Sequence, residues 1–193
     1  MIYSYMASIR IHLAIAKLFA ERNNVRDPAA FYKGTVDPDL TEKKDPTHYG
    51  TLRMAPELSA WECVKDRVDL SKFLTEHKLD NDYTRGHFLH LVTDFKFFRE
   101  FFGREFLENA DKLEFIADYF YSFDTIAENL IKKYGLDKIK VNNLENVKSA
   151  ASRTDNVKDG YSPKCIIDTA RIDAFIREVA AVDLDDYASK ARK

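Results

Sequence analysis

Hydrophobic residues along this chain recur at intervals of three and four, with almost no alternating stretch of the kind a half-buried strand produces. Ile11, Ile15, Leu18 and Phe19 share one face of a segment from Ile9 to about Arg22, and Ser8 stands where an N-cap belongs. Periodicity resumes at Leu58, with Trp61, Val64 and Val68 on one face, and predicts a helix to about His77. Asn81 or Asp82 heads the next helix, which runs to about Gly103. A further one spans Arg104 to Tyr134, with a break allowed near Ser122 and a stop at Gly135. Ile166, Ile167, Ala170, Ile172, Phe175, Ile176 and Val179 predict a C-terminal helix that fades into the charged tail Lys190 to Lys193.

Two stretches break the pattern. Asp27 to Pro56 carries Pro28, Gly34, Pro38, Pro46, Gly50 and Pro56, a density of breakers that predicts a long structured loop between the first two helices. Residues 136–163 are polar and irregular, and allow loops or a short strand at Ile139 to Val141. Helices joined by loops predict an all-α fold, a multi-helical bundle forming one domain over 1–193.

The helix after Asn81 is apolar around most of its circumference, through Phe88, Leu91, Val92, Phe95, Phe98 and Phe102, so it reads as buried. His90 and Asp94 are four residues apart on it and point the same way. Ionisable groups in such a place need an ion or each other, so the pair is either a metal-ligand pair or an internal hydrogen-bonded couple. The spacing alone leaves both open.

Composition narrows the classes. Hydrophobic residues make up 45% of the 193 and aromatics 13%, enough for a packed interior. A net charge of -2 with dispersed Lys and Arg offers no basic footprint, which argues against a stable nucleic-acid partner. Cys63 and Cys165 are too few for a disulfide framework or a thiolate zinc site, and are expected as buried, reduced thiols. No run of about 18 apolar residues and no secretory signal is found, so the expected setting is cytoplasmic.

His12, Asp37, Asp39, His48, His87, His90 and Asp94 all fall in the first half of the chain. Imidazole nitrogen and carboxylate oxygen are the donors that zinc and similar divalent ions accept. Plainer readings exist for each: His12 as a packed helix residue, Asp37, Asp39 and Asp45 as organisers of proline turns, His48 as a loop residue, His87 as an extension of the His90 face.

Four segments in order, Ile9 to Ala16 around His12, Phe31 to Asp39, Asp45 to Tyr49 around His48, and Gly86 to Asp94, resemble the zinc-dependent phospholipase C family. The likeness is to its short bacterial members, distant relatives of single-strand nucleases, and covers about residues 7–124. It implies an all-α fold and a core metal site of Asp39, His48, His90 and Asp94, with Asp94 bridging toward a second ion near His12 and Asp124 as a late acidic ligand. Glu100 stands where the family would place another histidine, and no histidine follows His90. The resemblance therefore implies one or two divalent ions, zinc foremost, in place of the family's three.

The implied activity is phosphoester hydrolysis by metal-activated water, with Asp39 as a ligand or as the group that takes the water's proton. The substrate would be a small phosphoester or a lipid headgroup. The alternative from another class is a helical binding or sensory protein in which the same residues hold a structural ion or a buried polar network. A helical phosphohydrolase built on an adjacent His-Asp pair is disfavoured, since the chain has no such dipeptide.

Overall fold

Side-chain caps mark where most helices begin. In the computed structural model, which describes residues 8–41, 45–53, 55–140 and 161–192, Ser8 accepts from the Arg10 amide and opens α1 (Ile9–Arg22). Asp27 caps α2 (Pro28–Leu40), whose first residue is a proline. A helix's first amide has no partner within the helix, so Pro28 costs nothing there. The predicted long loop over Asp27 to Pro56 is thus corrected. Its first half is helix, and Asp39 sits in the last turn of α2.

The rest of that stretch holds the short α3 (Asp45–His48). α4 (Ala60–Val64) opens with a reciprocal Ser59 and Glu62 capping box, and α5 (Leu70–Glu76) is capped by Asp69. The single helix expected from Leu58 to His77 is therefore two. Asn81 caps α6 (Asp82–Lys96), which runs directly into a π-helix (Phe97–Gly103). α7 (Arg104–Asn109) and α8 (Lys112–Tyr134) divide at Ala110 and Asp111 and not near Ser122, which is buried mid-helix.

α8 stops at Gly135, whose φ of 59° is the left-handed cap the sequence predicts. A 3-10 turn (Leu136–Lys138) follows. α9 (Thr169–Val179) starts later than expected, with Ile166 and Ile167 still in irregular chain, and a separate α10 (Leu184–Ala191) takes in Lys190 and Ala191 of the expected tail. Among the described residues there is no strand, only an isolated bridge between Tyr49 and Val68. Ile139 and Lys140 are irregular, and residues 141–160, where the remainder of the expected loop region falls, lie outside the described residues. No described helix is long and apolar enough to cross a membrane. Cys63 is buried as expected, whereas Cys165 is exposed, because it lies in the chain leading to α9 and not on a packed helix face.

The crossing of α2 and α6 positions the chemistry. A Cβ at Gly34 would stand 2.1 Å from the Tyr83 carbonyl oxygen, and one at Gly86 2.1 Å from that of Phe31. Only glycine lets the two backbones approach this closely. Asp39 and His90 follow these glycines by little more than a turn, so the tight crossing carries them toward each other.

One apolar cluster extends from Ile9 to Ala188. Beyond α6 it is aromatic: Phe97 stacks on Phe101 with centroids 4.9 Å apart and meets Phe175 edge-on at 5.5 Å, while Tyr119 meets Phe123 at 4.5 Å. Asp118, buried on α8, accepts from the Tyr161 hydroxyl and the Lys164 amide at 2.8 Å and so fastens the chain that leads into α9.

Asp173 ties α9 to α8 through the Tyr134 hydroxyl and Lys133, 2.7 Å away, and pairs with Arg177 at 3.0 Å. Burial by itself would raise its pKa, but these donors bring it down to about 2. A depressed carboxyl pKa stabilises the fold above the unfolded value of about 3.9, and that stabilisation is lost as pH falls through the folded value. Thermal melts should therefore show Asp173→Asn less stable than wild type by a few degrees at pH 6, with the gap closing between about pH 4 and pH 2. A gap that persists at pH 2 would show that the carboxylate charge is not what α9 relies on.

Candidate metal centre

Four helices deliver five polar side chains to one point inside the bundle: His12 from α1, Asp39 from α2, His48 from α3, and His90 with Asp94 from α6. The side chains of His12, His48, His90 and Asp94 have no solvent exposure, and that of Asp39 has 3%. His48 and His90 aim their Nε2 atoms at each other, 3.1 Å apart. Asp94 approaches His12 and His48 Nε2 at 3.3 Å and His90 at 3.7 Å; Asp39 is within 3.7 to 3.8 Å of all three. Two triplets, His12 with Asp39 and His90, and His48 with His90 and Asp94, are close enough to hold an ion.

These separations suit a coordination shell. At ligand distances of about 2.1 Å, donors at a right angle stand about 3.0 Å apart and donors at the tetrahedral angle about 3.4 Å apart. Both carboxylates also divide their oxygens. Asp94 turns Oδ1 to His12 and Oδ2 to His48 and His90, and Asp39 turns Oδ2 to His12 and Oδ1 to the other two.

The outer hydrogen bonds decide which nitrogen carries each proton. His90 Nδ1 is 2.8 Å from the Thr35 carbonyl, which can only accept, so Nδ1 carries the hydrogen and Nε2 the lone pair. Thr47 Oγ1 lies 3.1 Å from both the Pro38 carbonyl and His48 Nδ1; with its one hydrogen on the carbonyl, it accepts from Nδ1. In that arrangement the two neutral imidazoles present Nε2 lone pairs to one another. His90 is held far below the usual histidine range, first by burial and then by the neighbouring His12 ring stacked 3.9 Å away. Among the described residues, neither ring nitrogen of His12 makes a hydrogen bond; its approach to Asp94 is close without being aligned. Burial alone would raise the Asp94 pKa, yet the facing His12 and His48 keep it well below the usual carboxylate range.

His87 is not part of the cluster. It donates from Nε2 to the Thr47 carbonyl at 2.8 Å, bracing the turn that carries His48, and burial lowers its pKa to about 4. Asp37 pairs with Lys33 and accepts from Tyr83, so its role is structural. Glu100 pairs with Lys96. Asp124 corrects the sequence expectation: it is exposed on α8 and belongs to neither triplet, because the buried face of α8 turns Phe120, Phe123 and Ile126 inward.

The sequence reading missed Thr35, Thr47 and Arg67. Arg67 is 1% exposed and pairs with Asp45 at 2.7 Å, and the charges of Asp94 and Asp39 also act on it. Burial lowers its pKa but leaves it a cation. The threonines left no pattern to find, since their partners come from other helices. Replacing Thr47 with valine keeps the shape and removes the acceptor for His48 Nδ1. Divalent-metal affinity, measured by competition with a chelating dye, should fall about 10- to 100-fold; unchanged affinity would mean that the hydroxyl does not orient His48.

Comparison of the chain with protein-family models, curated proteins and solved structures finds no match.

Proposed function

We propose that this protein is a metal-dependent phosphoester hydrolase whose divalent ion, zinc foremost, is held by His48, His90, Asp94 and Asp39, with His12 able to share the carboxylates with a second ion. One observation carries the reading: two buried Nε2 atoms face each other at 3.1 Å beside two carboxylates. An arrangement of donors without hydrogens is costly by itself and favourable around a cation. Two carboxylates also balance the charge of one divalent ion.

A bound ion of this kind supplies Lewis acidity, bringing the pKa of a water toward about 7 and drawing charge from a phosphoryl oxygen. The protein's own groups do the rest. Asp94, with the closer histidine contacts, is suited to fixed ligation. Asp39, held at 3.7 to 3.8 Å, is the better placed to take a proton from water. Arg67 adds a buried positive charge beside the carboxylates, where it favours an anionic substrate. The reduced thiols of Cys63 and Cys165 accord with a cytoplasmic setting.

Full burial of four of the five side chains favours a second reading, a closed structural ion. Chelation separates the two. Hydrolysis of a chromogenic phosphodiester should vanish on metal removal, return on adding zinc or manganese, and leave the helical circular dichroism largely intact. Loss of helix on chelation, with no hydrolysis under any metal, would support the structural ion and contradict the enzyme.

A further inference from the structure

A narrow cleft runs between α4 and the C-terminal end of α6 and reaches Asp94. Its walls combine positive charge with aromatic surface: Lys65, Arg67 and Arg99 on one hand, Trp61, Phe95 and Phe98 on the other. Asp94 faces His12, His48 and His90, so a molecule in this cleft is next to the proposed metal ligands. The π-helical stretch that begins at Phe97 puts Phe98 and Arg99 on the same wall.

We propose that this cleft is the substrate subsite, that its guanidinium groups bind the phosphoryl oxygens, and that Trp61 and Phe95 receive a flat apolar substituent. The substrate class is then a small phosphoester of an aryl or short apolar alcohol. This rests on the hydrolase reading above.

Arg99 is prepared for the role. Its guanidinium lies 4.5 Å from the Phe95 ring centroid and 5.4 Å from that of Trp61, and Nη2 donates to the Lys65 carbonyl at 2.9 Å. Among the described residues no carboxylate pairs with it, so its donors suit an oxyanion. Arg67 forms the deep wall, 1% exposed, with its charge beside Asp94. The cleft measures about 230 Å³ including its mouth, which is too small for a phospholipid. Its interior leaves room for about one water molecule, so admission of an ester requires the exposed Arg99 side chain to swing away from Trp61 and Phe95. That swing leaves the aromatic faces to the substituent and brings the guanidinium to the phosphate.

The test uses full-length, metal-loaded protein with inorganic phosphate and phenyl phosphate as probes, binding read by calorimetry and metal content read in every sample. Wild type should bind both, phenyl phosphate more tightly. Arg99→Ala should weaken both by about tenfold or more, the loss expected for a charge-assisted contact. Trp61→Ala should weaken phenyl phosphate by about tenfold and inorganic phosphate by no more than a few-fold. Arg99 is exposed, and because Trp61 packs against the core, circular dichroism and metal content of Trp61→Ala confirm that it is folded before its binding is read. Protein that loads metal but binds both probes alike in wild type and variants overturns the subsite alone. Protein that takes up no metal overturns the hydrolase reading and the subsite with it.

Discussion

His90→Ala is expected to leave a folded protein that no longer retains its metal and hydrolyses phosphodiesters at background rate. The imidazole contributes in three ways at once. Its Nε2 faces His48 at 3.1 Å, its ring stacks on His12 at 3.9 Å, and its Nδ1 hydrogen satisfies the Thr35 carbonyl. Loss of an outer-sphere partner alone lowers metal affinity about 10- to 100-fold, so loss of the ligand itself should exceed that range. Loss of the hydrogen bond to the Thr35 carbonyl costs roughly a further 0.5 to 1.5 kcal/mol in stability. The sign of a second measurement separates ligation from packing. Chelation should lower the melting temperature of wild type, because the ion stabilises the native state by binding it preferentially. The variant's melting temperature should not respond to chelator. Should wild type and His90→Ala respond equally, His90 does not bind the ion.

Gly86→Ala is expected to be among the most damaging changes outside the cluster. Its methyl group would meet the Phe31 carbonyl oxygen at 2.1 Å, against the backbone of a packed helix that cannot rotate out of the way. Alanine favours the helix by about 1 kcal/mol over glycine, whereas forcing two packed helices apart costs about 3 kcal/mol or more, so the overlap wins. For a domain of this size that net loss corresponds to a fall in melting temperature of roughly 5 °C or more. Because α2 bears Asp39 and α6 bears His90 and Asp94, separating them should also weaken metal binding. Gly34→Ala meets the Tyr83 carbonyl from the other side of the same crossing and should behave alike. A variant as stable as wild type would show that the helices do not cross at these glycines.

What could be read from the sequence was local. Ser8, Asn81 and Gly135 mark helix ends with chemistry that acts over three or four residues, and the apolar circumference of α6 shows its burial without reference to any other element. The His90 to Asp94 spacing needs only the helix. Over Asp27 to Pro56 the positions of the breakers matter more than their density: Pro28 falls where a helix lacks an amide partner, and Gly34 serves a crossing that only the partner helix reveals. The family resemblance offers Asp124 as a late acidic ligand, while the face of α8 that turns inward is fixed by its aromatic residues.

The acceptors that set the histidine tautomers, Thr35 and Thr47, come from elements far from His90 or outside any apolar pattern, so no periodicity could mark them. Arg67 was equally silent, an arginine that becomes informative only when its burial and its pairing with Asp45 are seen.

The central claim, that imidazoles and carboxylates from four helices surround a cation, is tested most directly by X-ray absorption on protein purified without chelator and dialysed against dilute divalent metal. The account predicts one or two bound ions per chain and a first shell of nitrogen and oxygen at about 2.0 to 2.2 Å, with imidazole scattering that weakens in His48→Ala and His90→Ala. Folded wild-type protein that retains no ion, or an ion whose shell is unchanged in both variants, would contradict it.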